Sequence, residues 1–311
     1  MTHDWPALDW PQWRETALHL QLMTQIVGKV RLACTPWQNH GWHVPLYVTP
    51  RGLTTSPIPW RDASFQIDFD FAEHRLEIVA GSATHGLELA CGSIAGFYGA
   101  VMEALAALGI DCRISTLPNE LPDPVRFPDD HRQRPYDAEA VARFHGALVH
   151  ADRIFKRFRT GFLGKASPVH FFWGSFDLAV TRFSGRRAPL HPGGVPGLPD
   201  AVTREAYSHE VSSAGFWPGN DAWPHAAFYS YAYPAPSGFS DAPVAPTAAT
   251  FEPTLGEYLL PYDAVCEAAD PDTAVMEFLQ STYAAAADLG GWDRTALECA
   301  LGEPRKPRPV A

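Results

Sequence analysis

The 311-residue chain predicts an α+β fold: a duplicated unit of helix, four-strand antiparallel meander and helix, in two pseudo-symmetric halves that enclose a cavity. Three observations point there. Apolar residues recur at spacings of three and four in the stretches that open and close each half, and alternate with polar residues in between. Short strings also return in the same order: Gly28-Lys29, Trp42, Leu46, Val48-Thr49, Gly52 and Pro57 are matched by Gly164-Lys165, Trp173, Leu178, Val180-Thr181, Gly185 and Pro189 at offsets of 131 to 136 residues. Finally, the tetrapeptide AVME stands in the closing helix of both halves, at 100–103 and 274–277. Two such units are expected to bring their sheets together about a pseudo-two-fold axis with a hollow between them.

In chain order, residues 11–30 form a helix with Leu18, Leu22, Ile26, Met23, Val27 and Val30 on one face, and Pro11 suits its first turn. Strands follow from His43, the clearest in SFQIDFDF, where Phe65, Ile67, Phe69 and Phe71 alternate with Gln66, Asp68 and Asp70. Ser93 caps a helix with the stripe Ile94, Phe97, Val101, Leu105 and Leu108, and Gly109 ends it. IDCRIST, at 110–116, continues as a strand. These residues, 1–116, make the first repeat. Residues 117–136 are dense in proline and acidic groups and form a linker. The second repeat, 137–291, opens with a helix to Phe162 whose outer face, with Arg143, Arg153, Lys156, Arg157 and Arg159, is solvated. Strands follow near 168–183, 205–214 and 226–233, with inserted loops at 185–200 and 234–249. Asp270-Pro271 opens the last helix and Gly290-Gly291 closes it, before a partly disordered tail over 292–311. The repeats are expected to form one compact unit.

Composition narrows the classes. A chain 46% hydrophobic and 19% charged folds rather than staying disordered, and its net charge of −11 opposes nucleic-acid binding. Five widely spaced cysteines without a CxxC pair fit a reducing compartment, so the cytoplasm is expected. No apolar run reaches the length of a membrane span, and the start lacks a secretory pattern. Nothing in the sequence fixes an oligomeric state.

The segment from Gly164 to Gly194 holds the most chemically able side chains. His43, His170 and His209 are the candidate ligands of one divalent ion, zinc or iron, because such a site needs imidazoles or carboxylates converging from separate elements. His209 is chosen over Glu210 because it shares a strand face with Tyr207. His40 stands opposite His170 in the repeat alignment. In catalysis His170 and His209 serve as acid/base groups, with Asp177 orienting a histidine. Lys165, Arg182 and Arg186 form a cationic set suited to an anionic ligand, and Trp173 and Tyr231 line its pocket. A nucleotide cofactor is not expected, since no GxxxxGK[ST] loop is present.

The strings NHGWHVPLYVTPRGLTTSPIPW, SPVHFFWGSFDLAVTRFSGRRAP, EAYSHEVSSAGFWPG and FYSYAYP resemble those of an uncharacterised bacterial family, a domain of unknown function spanning nearly the whole chain. The resemblance implies no activity, cofactor or catalytic residue. The residues themselves suggest an intracellular enzyme acting on a small, anionic organic substrate between the repeats, with a non-catalytic carboxylate- or anion-binding protein as the alternative.

Overall fold

In the computed structural model, which describes residues 5–308, two antiparallel sheets of six strands each are flanked by helices. Helix α1 (Trp10–Cys34) enters with proline in its first turn and is followed by β1 (Tyr47–Thr49), β2 (Gly52–Thr54), β3 (Ile58–Trp60), β4 (Ala63–Asp70), β5 (Arg75–Ala80) and β6 (Ala83–Glu88). Helix α2 (Ile94–Ala107) closes this half; the Ser93 hydroxyl accepts from the Gly96 amide at 3.1 Å, and Gly109 takes the left-handed conformation beyond it. Helix α3 (Ala138–Thr160), capped by Asp137, opens the second half. Then come β7 (His170–Phe172), β8 (Asp177–Arg187), α4 (Asp200–Ala206), β9 (His209–Trp217), β10 (Ala227–Tyr233), β11 (Thr250–Glu252), β12 (Glu257–Pro261) and α5 (Tyr262–Cys266). Helix α6 (Pro271–Leu289), capped by Asp270, and the short α7 (Arg294–Leu297) complete the described chain.

The sheets run β1-β2-β4-β5-β6, with β3 also on β4, and β11-β12-β10-β9-β8-β7. They meet edge to edge where Leu46 and Phe171 exchange backbone hydrogen bonds of 2.8 and 2.7 Å. Both side chains are fully buried there, worth about 1.5–3 kcal/mol apiece in removed apolar surface. Helices α3 and α6 pack on one face of the second sheet, against Phe171, Leu178, Phe216 and Phe228. In the first sheet Phe65, Ile67, Phe69, Leu76 and Ile78 turn inward, while Gln66, Asp68 and Glu77 stay half-exposed, as strand alternation requires.

Several expectations change. Each half has six strands rather than four, because three-residue strands such as β1, β2 and β3 are too short to show a period. Residues 110–116 form no strand: Ile110 and Cys112 are buried and Asp111 and Arg113 exposed, so the alternation belongs to an extended chain lying on the core without a partner strand. Between 205 and 214 the chain is helical through Ala206, so Tyr207 ends α4 and shares no strand face with His209. Both halves show the order helix, sheet, helix, and both AVME strings lie in closing helices. The finer correspondence does not hold, since Gly28-Lys29 lies inside α1 and Gly164-Lys165 beyond the end of α3. The tail folds back through a bridge between Phe162 and Glu298, while residues 309–311 and 1–4 lie outside the described residues. Among the described residues no cysteine is joined in a disulfide, and the Sγ atoms of Cys34 and Cys112 lie 3.4 Å apart. Among the described residues no helix is long and apolar enough to cross a membrane.

Candidate functional site

The second sheet's face away from α3 and α6 is polar, because β8, β9 and β10 place small or hydroxylated residues there in register. One row runs Ala179, Gly215, Tyr229, Leu259, and the next Thr181, Ser213, Tyr231, with Glu257 on β12 one residue beyond the Ser230–Tyr258 pair. Gly215 is required: a Cβ there would stand 2.3 Å from the Tyr229 hydroxyl and 2.5 Å from the Leu178 carbonyl, so the phenol ring lies flat across bare backbone. The tyrosine then donates to Asp177 Oδ2, and Ser175 donates to Asp177 Oδ1. Tyr229 stacks on Tyr231 at 6.1 Å, Tyr231 meets the Tyr207 hydroxyl at 2.9 Å, and Thr181 meets Ser213 at 2.8 Å.

Two loops roof this face. One is the start of the 117–136 segment, held by a polar stripe on α1. Gln25 exchanges hydrogen bonds with the Asn119 backbone (2.9 and 2.7 Å), Lys29 donates to the Asn119 side chain, and Gln21 donates 2.7 Å to the Gly174 carbonyl. This pins Glu120, whose carboxylate lies over Gly174 in the β7–β8 turn. The other loop comes from 189–207: Asn119 donates to the Gly197 carbonyl at 2.7 Å, Tyr233 donates to the Pro189 carbonyl at 3.1 Å, and His191 stacks on Tyr207 at 5.0 Å. Glu120, Glu257, Tyr207, Tyr229 and Tyr231 are hemmed in by protein yet keep part of their surface accessible, as groups lining a narrow recess do.

Three carboxyl groups thus share one recess, and among the described residues none of them forms an ion pair with a basic side chain. Burial, and then the charge of Asp177, raise Glu120 and Glu257 each to about 7. Burial raises Asp177 also, against the lowering effect of its Ser175 and Tyr229 hydrogen bonds. Tyr229 and Tyr231 are pushed well above the ordinary phenol value, first by burial. Between the ordinary 4.5 and about 7, folded Glu257 holds its proton where the unfolded chain has released it, so its contribution falls as pH rises through that window. Glu257→Gln lacks this loss. Its stability relative to the wild type is expected to rise by about 1–3 kcal/mol between roughly pH 4 and pH 8, after allowance for partial exposure. Urea denaturation of both proteins across that range checks it; a flat difference would show that Glu257 ionises normally.

A family model matches residues 5–299, which takes in both sheets and every residue of the recess. The chain belongs to DUF5996, a family of unknown function. No curated protein and no solved structure matches it. Membership of DUF5996 therefore adds no chemistry, and the side chains must supply it.

Of the residues singled out from the sequence, Asp177 and Tyr231 lie in this recess and the others do not. His43, His170 and His209 do not converge, and among the described residues no three His, Cys, Asp or Glu side chains are grouped to hold a metal. His43 accepts from the Gln38 amide at 3.2 Å beside Trp37. His170 is buried beside Phe172, and burial followed by the charges of Arg31 and Arg159 lowers it to about 3. His209 lies 5.8 Å from the ring of His40, which meets Lys165 Nζ at 2.5 Å instead of pairing with His170. Lys165 is exposed, with its ammonium 5.3 Å from the Trp42 ring and 4.8 Å from that of Phe183. The cationic set is dispersed as well. Arg182 points to the helical face and stacks on Phe158, while Arg186 binds Glu210 at 2.7 Å and the Gly290 carbonyl at the end of α6. Trp173 is wedged against α1 with Nε1 on the Val44 carbonyl. Glu120 and Glu257 escaped sequence reasoning. EYLLP has three buried apolar residues in a row and so gives no period to mark Glu257, and Glu120 sits in a proline-rich stretch with none either.

Proposed function

We propose that this protein takes a small organic cation, of the primary amine or amidine type, into the tyrosine-lined recess and exchanges protons with it through the carboxyl groups. One observation carries the reading: Glu120, Asp177 and Glu257 are gathered without a basic partner, so a bound cation supplies the missing charge. Stacked phenols add flat faces to which an organic cation is attracted. A carboxyl titrating near 7 gives and takes protons at neutral pH, which suits acid/base chemistry. Asp177, fixed by Ser175 and Tyr229, is the oriented base, and Glu120 and Glu257 flank it. This reading keeps the small-molecule enzyme expected from the sequence but replaces the histidine site by carboxyls and the anionic substrate by a cationic one.

The test is calorimetric titration with benzylamine and n-butylamine. Saturable binding is expected, tightening as pH rises through about 7 because the carboxyls ionise while the amines stay protonated. Glu120→Gln combined with Glu257→Gln is expected to weaken it about tenfold or more. Absence of binding at about pH 8, where the carboxyls are ionised and the amines still protonated, or equal affinity in the double variant, sinks the reading.

A further inference from the structure

Where the two sheets meet there is a cavity of about 270 Å³, lined by Tyr47 and Val48 from the first half and by Asp152, Lys156, Arg159, Pro168 and Val169 from the second. It shares no lining residue with the carboxyl recess. Its electrostatics run the other way. Arg31 is 7% exposed, with its guanidinium 5.1 Å from the Tyr47 ring, a hydrogen bond to the Pro45 carbonyl, and Nε without a partner. Among the described residues no carboxylate is bonded to it. Arg159, in the last turn of α3, makes no ion pair among the described residues. Lys156 is bound to one oxygen of Asp152 at 2.6 Å, and the other oxygen of that buried acid has no partner. Two cations against one acid in the lining, with Arg31 behind Tyr47, in a chain of net charge −11, make this seam a local reversal of the overall field.

His170 stands behind the same cations. It is 1% exposed with Nδ1 unpartnered, and after burial the charges of Arg31 and Arg159 are what hold it neutral. The surface cations farther along α3 are already engaged: Arg153 with Asp272 and Arg143 with Glu139. Lys156 and Arg159 are the two that flank the opening, one turn apart on the same side of the helix.

We propose that this seam cavity binds a small oxyanion-bearing molecule, a phosphate or carboxylate compound, between Arg159 and Lys156, with Tyr47 forming its inner wall and Arg31 behind that ring. The arginine fork supplies paired N–H donors, and the ammonium of Lys156 turns from Asp152 to the ligand, the acid being the weaker partner because burial disfavours its ionised form. Both halves contribute walls, so an occupant ties the two sheets together and stabilises the fold in proportion to its occupancy. The inference is independent of the amine reading, which concerns other residues and a ligand of opposite charge.

The experiment titrates the full chain at low salt with inorganic phosphate and, separately, with succinate, by calorimetry and by thermal unfolding. Saturable binding of at least one anion is expected, with a rise in unfolding temperature. Affinity should fall about tenfold in Arg159→Gln and again with added salt. Phosphate alone binding assigns a phosphoryl compound; succinate alone assigns a carboxylate. Lys156→Gln serves as a second, equally exposed variant, and circular dichroism confirms that each variant folds. The proposal is overturned if neither anion binds saturably, or if the Arg159→Gln, Lys156→Gln double variant binds as tightly as the wild type.

Discussion

Arg182→Ala is expected to destabilise the protein by about 3–5 kcal/mol, and Arg182→Met by no more than about 1.5 kcal/mol. The difference lies in what surrounds the side chain. Arg182 is 1% exposed, its guanidinium carbon 3.5 Å from the centroid of Phe158, 4.3 Å from Tyr283 and 5.0 Å from Phe162. It donates to the Phe158 carbonyl at 2.5 Å, in the last turn of α3, where helix carbonyls lack their own partners. Burial lowers its pKa to about 10, so it stays charged at neutral pH in a setting with no directly bonded carboxylate. Alanine leaves a cavity between the sheet and two helices. Methionine fills most of that volume and removes a desolvated charge, an exchange that is often neutral in buried sites. Reversible urea denaturation gives both values. An alanine variant within about 1 kcal/mol of the wild type would mean that solvent reaches the site.

The same residue shows where the sequence is legible. The long helices α2, α3 and α6 were readable because each buries a stripe over several turns, whereas α1 is buried all round from Leu22 to Arg31, polar residues included; Ser93, Asp137 and Asp270 cap as their residue types suggest. The face of β10 was readable too, since Tyr229 and Tyr231 alternate with Phe228 and Ser230. What strand periodicity leaves open is which face the helices cover. Arg182 and Asp177 stand five residues apart on β8, hence on opposite sides, and only the packing of α3 tells which side is core. An arginine in a motif looks like a ligand-binding group because arginines are seldom buried, but here three aromatic rings shelter it. Glu120 was hidden for a different reason: its position comes from Gln25 and Lys29, almost a hundred residues earlier, and no local pattern encodes such a tether.

Trp173→Ala should cost about 3–5 kcal/mol and at the same time dismantle the recess. The indole is 7% exposed, pressed so closely on Gly28 of α1 that a Cβ there would lie 2.1 Å from its ring nitrogen, and Nε1 donates 2.9 Å to the Val44 carbonyl. It is followed at once by Gly174, whose carbonyl receives Gln21 and over which Glu120 rests, and by Ser175, which donates to Asp177. Loss of the indole frees that turn from α1, so two of the three carboxyls lose their supports. Gly28→Ala attacks the same contact from the helix side and is expected to cost about 1–3 kcal/mol, because the backbone of α1 cannot retreat from a rigid ring. The paired measurement is urea stability and benzylamine affinity in both variants. A supporting role predicts that stability and affinity fall together in Trp173→Ala and in Gly28→Ala, which touches no ligand in any reading. Were Trp173 a pocket wall, as its sequence context suggested, its alanine variant would lose affinity at nearly unchanged stability, and Gly28→Ala would leave binding intact.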